Sequence, residues 1–424
     1  MAIEYKGDLS PEGEVVPFRF QARDGVDPEA IQKLSETLGL QEVDNGNDAQ
    51  GILFRSKTKL LTPDALGQFP DLMAAIRIGV GVDNVNMDVA AQLGIHIDAT
   101  PGPSSIPVAV RALTLALSAA AKVSQSTALL QDGKWEKGQD SVAPLSVHKS
   151  TLGIIGYGRI GSEVAKMGNG IFAKTQFSDA RDIEGKVESN EMLTQTSQFI
   201  VIAVDSPRKF EILDREAIMA LNPGTVIINI SRPWWVNQEA LIERMNDPDP
   251  KNRIYYATDV YGTEGKNMFE KDPTIKELVS SDNFIGTMHT GAQDAGTKKD
   301  LGMNGVEKLL AYVQHGIMNP DSDPRMSFNK AFNVGKEKKL AGARFVVTHD
   351  STAQKATQIL GQAESHNINS IQNEEGRQYN GEKVAVTSFD IDNIGPDEAA
   401  LVLKNIRENV EHFKARAMFY SDVS

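Results

Sequence analysis

The chain has 424 residues, too many for one ordinary core, and its 40% hydrophobic and 24% charged composition is that of a globular protein of two or three domains. Its 44 basic residues stand against 57 acidic ones, a net charge of −13, which argues against nucleic acid as a partner but leaves room for a small anionic substrate held by a few local arginines. There are no cysteines, so disulfides, thiolate zinc sites and thiol nucleophiles are excluded, and no metal site is expected.

Met1-Ala2-Ile3-Glu4-Tyr5-Lys6 has no basic region followed by an apolar run, so no secretory signal is expected. The longest small-apolar stretch, Ala112 to Ala121, falls short of the roughly 20 residues a membrane span needs. A cytoplasmic protein without a membrane partner is the expectation. Asp27-Pro28-Glu29 then opens an amphipathic helix through Leu38, with an acidic cap and proline in the first turn. Gly51 to Phe54 is a buried strand, Pro63 to Phe69 a short helix, and Met73 to Ile78 a strand running into Gly79-Val80-Gly81. Val108 to Leu130 reads as one long helix.

A second strand–helix alternation starts at Leu152 and runs to about residue 290, with strands Phe199 to Val204, Thr225 to Ile230 and Tyr255 to Thr258. Their polar or glycine-rich ends would form the ligand-binding edge of a parallel sheet. A helix from Asp294 to Gln314 follows, and Asn319 to Lys339 has the proline and charge content of a linker. Beyond it, strands Ala343 to Thr348, Val384 to Asp390 and Ala415 to Tyr420 and helices Ala353 to Ala363 and Asp397 to Val410 fit a small ferredoxin-like β-α-β-β-α-β module.

Gly156-Tyr157-Gly158-Arg159-Ile160-Gly161 is a G-x-G-x-x-G between a strand and a helix. Glycines there allow the tight turn and let the backbone approach a pyrophosphate, which the helix N-terminus then faces. Asp179, about 18 residues past Gly161, follows the next strand. A carboxylate at that place accepts the hydroxyls of an adenosine ribose and repels a 2′-phosphate, so NAD is expected over NADP. Arg181, two residues on, is the feature that could reverse this.

Arg232, Glu264 and His289 each follow a different strand candidate. They can converge at one sheet edge and suit hydride chemistry on an alcohol. Histidine accepts a hydroxyl proton, a carboxylate beside it fixes the tautomer, and arginine clamps a carboxylate.

Arg55-Ser56-Lys57-Thr58, Arg77 to Asn84, Gly133-Lys134-Trp135, Thr151 to Gly161, Asn229 to Arg232 with Glu239-Ala240-Leu241, Asp259-Val260-Tyr261 and His289 form an ordered set. By these pieces the chain resembles the D-isomer-specific 2-hydroxyacid dehydrogenases. The resemblance implies two Rossmann-like doubly wound domains. Residues 1–103, completed by 293–320, would bind substrate, 104–292 would bind NAD, and 321–339 would link to an ACT-like domain at 340–424. It implies that Arg232 orients substrate, that His289 is the acid/base and that Glu264 is its partner. Gly156, Gly158, Arg159, Ile160, Gly161, Asp179, Ile230, Ser231, Asp259 and Ala292 would hold NAD. Arg55, Arg77, Gly79, Val80 and Gly81 would line the substrate side. A homodimer or homotetramer is implied.

Several positions depart from the family pattern: Pro107-Val108-Ala109-Val110 on the long helix, Pro233-Trp234 after the arginine, Thr290-Gly291-Ala292-Gln293 after the histidine, and a proline displaced to Pro207. Trp234-Trp235 either shapes the substrate pocket or packs in the core. Within the family the reading is oxidation of 3-phospho-D-glycerate to 3-phosphohydroxypyruvate, the first step of serine biosynthesis, favoured by Arg55 and Arg77 as a basic pair. Another D-2-hydroxy acid, or a non-enzymatic NAD-sensing corepressor, are the alternatives. In the C-terminal module, His366-Asn367-Ile368-Asn369 resembles an ACT-domain turn. Ala353 stands where the effector loop usually has glycine, so a weak or absent response to serine is expected.

Overall fold

The computed structural model describes residues 3–10, 12–37, 39–44, 46–138, 143–205, 210–315, 342–350, 353–363, 366, 368–379, 382–410 and 414–422. The expected linker, Pro207, Ser351, Thr352 and Asn367 lie outside the described residues. The chain divides into two compact units, one made of residues 1–101 with 298–424 and the other of 102–297.

The first unit opens with β1 (Ile3–Leu9) and β2 (Val15–Val16), then enters a parallel sheet of β3 (Phe18–Ala22), β4 (Leu40–Glu42), β5 (Gly51–Phe54), β6 (Ala74–Arg77) and β7 (His96–Ala99). Helices α1 (Pro28–Ser35), α2 (Pro63–Gly67) and α3 (Met87–Gln92) connect them. Asp27 caps α1 by accepting the Glu29 and Ala30 N–H groups, and Thr62 caps α2 in the same way. The strand order β4-β3-β5-β6-β7 is doubly wound, with a reversal beside β3.

In the second unit, α4 (Ser105–Ala120) and α5 (Val123–Gln131) replace the single long helix expected over Val108 to Leu130. They are bent by 58°. The break is Lys122, which takes a left-handed φ of +55° and lays its ammonium 3.2 Å from the centre of the Tyr255 ring. No proline or glycine marks this break in the sequence. Among the described residues no single helix is long and apolar enough to cross a membrane.

A second parallel sheet follows: β8 (Thr151–Ile155), α6 (Arg159–Gly168), β9 (Lys174–Ser178), α7 (Asn190–Thr196), β10 (Phe199–Ile202), α8 (Arg215–Met219), β11 (Val226–Asn229), α9 (Gln238–Met245), β12 (Tyr255–Thr258), α10 (Met268–Lys271), α11 (Pro273–Val279) and β13 (Phe284–Gly286). All its pairings are parallel, in the order β13-β12-β11-β10-β8-β9, so the winding reverses between β8 and β10. The central strands are apolar throughout because both faces are covered. Leu152, Ile154, Phe199 and Val226 meet the alanine-rich face of α4. Ile200, Ile202 and Ile227 pack on the opposite face with Leu241 and Trp235.

The chain returns to the first unit along α12 (Ala295–His315). It then forms β14 (Gly342–Asp350), α13 (Ala353–Gly361), β15 (Ile368–Tyr379), β16 (Glu382–Asp392), α14 (Pro396–Asn409) and β17 (Lys414–Asp422). The antiparallel order β15-β16-β14-β17 is the ferredoxin-like arrangement. The N-terminal strand departs from the expected division. β1 does not join the parallel sheet of residues 1–103 but pairs antiparallel with β17, and β2 extends that sheet further. Asp8 on β1 accepts from both Nε and Nη2 of Arg416 on β17, and the two side chains are buried. Arg416 also donates to the Tyr312 and Val313 carbonyls near the end of α12. The C-terminal module is therefore packed into the first unit rather than standing apart from it.

Candidate active site

The loop between β8 and α6 is built for close approach to an anion. Gly156 has φ +96°, and a Cβ there would sit 2.7 Å from the Ala203 carbonyl oxygen. A Cβ on Gly161 would overlap the Gly156 carbonyl oxygen, whereas nothing lies within 4 Å of a Cβ on Gly158. Tight turn, close packing and open approach are thus divided among the three glycines. Arg159 and Ile160 begin α6, with Arg159 exposed and Ile160 half-buried against the sheet. The unpaired N–H groups of that helix end suit a pyrophosphate. The loop lies beside the point where the winding reverses, the usual place for a dinucleotide on such a sheet.

Asp179 stands at the end of β9, as expected, but its carboxylate is engaged. It accepts the Tyr157 N–H at 2.7 Å and is gripped by Arg181 through Nε at 2.8 Å and Nη2 at 3.0 Å. The hydrogen bonds of Arg181, against the opposing effect of burial, hold the carboxyl well below the usual carboxylate range.

The remaining expected residues follow β11, β12 and β13 on the same edge. Ile230 is buried and Ser231 donates to the Ile202 carbonyl at 3.0 Å. Asn229 donates to the carbonyl of Arg232 at 2.8 Å, and the Arg232 guanidinium donates to the Ser231 carbonyl. Trp235 is in the core, whereas Trp234 lines a groove of about 530 Å³ with Phe210 and Pro233, 6.0 Å from the Arg232 guanidinium. Core packing therefore holds for Trp235, while Trp234 is partly buried against the same core and faces a groove whose lining includes none of Arg232, Glu264 and His289.

His289 and Glu264 meet directly. The imidazole Nδ1 is 2.8 Å from one carboxylate oxygen and 3.1 Å from the other, with both side chains about half exposed. Burial pushes the Glu264 carboxyl up, but the hydrogen bond and charge of His289, the Tyr261 N–H and the charge of Arg232 outweigh it and leave it below its ordinary value. With Nδ1 committed to the carboxylate, Nε2 is left for a substrate hydroxyl. His289 has a left-handed φ of +53°, uncommon for a residue with a side chain.

Asp259 holds that conformation. Its carboxylate accepts the Thr287 hydroxyl at 2.5 Å, the Thr290 N–H at 3.1 Å and the Gly291 N–H at 2.9 Å, bracketing His289 from both sides. Arg111 of α4 reinforces the loop by donating to the Thr290 hydroxyl at 3.1 Å. Asp259 was expected on the nucleotide side only, and Arg111 was not singled out. Its position next to the departure at Val110 is the one trace in the sequence. Ala292 closes the loop, half-buried.

In the first unit, Phe54 of β5 lies opposite Arg77 of β6, so Arg55 and Arg77 come to neighbouring strand ends. Arg55 is half-buried, and that burial lowers the pKa of its guanidinium while the charge of Asp24 opposes. Arg77 folds back over Gly79 and donates to the Ile78 carbonyl at 2.6 Å. Gly79 (φ +138°) donates to the Thr100 hydroxyl at 2.7 Å, and Val80 and Gly81 continue the loop, half-buried.

Comparison with known proteins identifies the family. The profile of the D-isomer specific 2-hydroxyacid dehydrogenase NAD binding domain matches residues 113–291. Hydroxypyruvate reductase of Thermotoga maritima is 30% identical over 314 residues, covering 69% of this chain and 97% of that protein. The chain belongs to the D-isomer-specific 2-hydroxyacid dehydrogenase family. D-3-phosphoglycerate dehydrogenase of Methanocaldococcus jannaschii is also 30% identical, over 322 residues that cover 70% of this chain and 59% of that longer one. Among solved structures, an NADPH-dependent glyoxylate/hydroxypyruvate reductase of Sinorhizobium meliloti shares the fold with a TM-score of 0.61 and 22% identity, covering 71% of this chain and 95% of that one. The protein is an oxidoreductase of this family, and its nucleotide unit binds NAD.

Proposed function

We propose that the protein oxidises a D-2-hydroxy acid at C2, with 3-phospho-D-glycerate as substrate and 3-phosphohydroxypyruvate as product. The observation that carries the chemistry is the 2.8 Å contact between His289 and Glu264 on a loop pinned by Asp259. NAD, when bound, supplies the hydride acceptor. His289 Nε2 takes the hydroxyl proton, and the Glu264 carboxylate stabilises the imidazolium that results. Arg232 orients the substrate carboxylate and polarises the forming carbonyl. Gly156, Gly158, Gly161 and the first N–H groups of α6 carry the pyrophosphate, with Arg159, Ile160, Ile230, Ser231 and Ala292 around the dinucleotide.

The phosphorylated substrate is favoured by Arg55 and Arg77 at neighbouring strand ends, two cations where one would serve an unphosphorylated acid. Val80 and Gly81 offer backbone donors to the same anion, the Gly79 N–H being held by the Thr100 hydroxyl. A second reading, reduction of hydroxypyruvate, is favoured by the near-complete coverage of the Thermotoga relative. Nicotinamide absorbance with 3-phosphoglycerate, and in reverse with phosphohydroxypyruvate, hydroxypyruvate and glyoxylate, separates them. Phosphohydroxypyruvate should give the highest kcat/KM. A faster reaction with hydroxypyruvate establishes the second reading, and no turnover with any of them removes both.

The C-terminal module serves as an ACT-like assembly or regulatory domain with little response to serine. Its strand order supports the first part, and the extra Cβ of Ala353 the second. Strong inhibition when serine is titrated into the full-length protein would show that an amino-acid site forms despite Ala353.

A further inference from the structure

The Asp179 carboxylate, the group a ribose would need, is saturated. It receives four donors: the Tyr157 N–H, the Arg181 N–H, and Nε and Nη2 of the Arg181 guanidinium. An ionised carboxylate has about four lone-pair sites, so no acceptor remains for a ribose hydroxyl while Arg181 stays in place. The arrangement is fixed from several directions. Arg181 Nη2 also donates to the Tyr157 carbonyl at 2.9 Å, within the glycine-rich loop itself, and Lys186 donates to the Arg181 carbonyl at 2.9 Å. The carboxylate is only 9% exposed, whereas the guanidinium that covers it is 63% exposed. What the site shows to solvent at the ribose position is therefore a cation more than an anion.

We propose that Arg181 sets which dinucleotide this unit accepts, by occupying Asp179 and presenting its own charge to the 2′ position. The inference rests on the dinucleotide-binding reading of the unit. A bare carboxylate excludes NADP by repelling the 2′-phosphate and rewards NAD by accepting both ribose hydroxyls. Here the repulsion is neutralised by a two-pronged pair, and the reward is withheld until the guanidinium moves. When it moves, its exposed side chain remains within reach of a 2′-phosphate, with the planar fork that suits that group. Both effects narrow the gap between the two cofactors, and the chain accepts NADPH as well as NADH.

Calorimetric titration of the purified full-length protein with NADH and with NADPH, in the absence of substrate, tests this without reference to turnover. The two dissociation constants are expected within about tenfold of each other, since the loss or gain of one charged hydrogen bond corresponds to about that factor. In Arg181→Ala the freed carboxylate should tighten NADH and weaken NADPH, moving their ratio toward NADH by about tenfold or more. Arg181→Lys, which keeps a cation without the fork, should fall between the two. Because the side chain is exposed, these variants are expected to fold, and an unchanged thermal midpoint without ligand checks that they do. A wild-type preference for NADH well beyond tenfold, or a ratio unmoved by Arg181→Ala, overturns the inference while leaving the unit a dinucleotide binder. Failure to bind either dinucleotide overturns that reading as well.

Discussion

His96, at the start of β7, lies with its ring centre 5.1 Å from that of Tyr312 on α12, and both rings are almost wholly buried. Burial, and secondarily the charge of Arg416, pushes the imidazole down to about 3. His96 is thus neutral in the folded protein, while an unfolded imidazole gains its proton near pH 6.5. Its contribution to stability is complete above about 6.5 and is lost as pH falls through the range toward 3, by about 1.4 kcal/mol per pH unit. Thermal midpoints of wild type and His96→Gln measured from pH 7 to pH 4 should converge as the pH drops. Parallel curves would show that another group governs the acid limb.

His289→Ala should lose turnover by about 10²- to 10⁴-fold, the usual worth of a positioned acid/base. Dinucleotide affinity should change little, because the nucleotide loop is built from other residues. Near-normal turnover in the purified variant would remove His289 from the mechanism.

Glu264→Gln keeps the shape of the partner and removes its charge. A carboxylate beside an imidazole favours the protonated ring. The imidazolium formed in turnover would then lose its countercharge, so kcat should fall while dinucleotide affinity holds. An unchanged kcat would mean that Glu264 only braces the loop.

Asp259→Asn replaces an acceptor of three hydrogen bonds with a group that must turn an NH₂ toward one of the donors. An unsatisfied N–H of this kind costs about 1–3 kcal/mol. We expect faster amide exchange at Thr290 and Gly291 and a fall in kcat of about tenfold or more. Unaltered exchange at both amides would show that Arg111 alone suffices to hold the loop.

Arg416→Met should be severe, because Asp8 would be left buried and charged without its guanidinium, a loss of about 3–5 kcal/mol. Arg416→Met combined with Asp8→Leu should recover much of that stability, since the cost lies in the stranded charge. Equal midpoints for the single and double variants would count against this account.

The parallel strands were legible because a strand buried on both faces is a short apolar run closed by glycine or polar residues. Gly51 to Phe54 and Tyr255 to Thr258 were placed to the residue. The meeting of His289 with Glu264 followed from their positions after neighbouring strands. Other features were hidden for physical reasons. The break at Lys122 has no glycine or proline to announce it, since it depends on a ring supplied by a distant strand. The Arg181 grip on Asp179 is visible as a spacing but not as a geometry, because an arginine two residues on can point either way. β1 reads as a mixed polar segment, and nothing local names its partner.

That partner is among the last segments of the described chain: Ile3 pairs with Asp422 and Tyr5 with Tyr420. β1 is synthesised before everything that separates it from β17, so Leu9, which ends in the C-terminal core, waits for that core until β14 to β17 have been made. Pairings of such sequence separation carry a large loop-closure cost and form late. In the interval both β1 and the unpaired edge of β14 are available to other chains. Maturation of this unit is thus paced by translation itself, and slowing elongation lengthens the period in which it is open to misassembly.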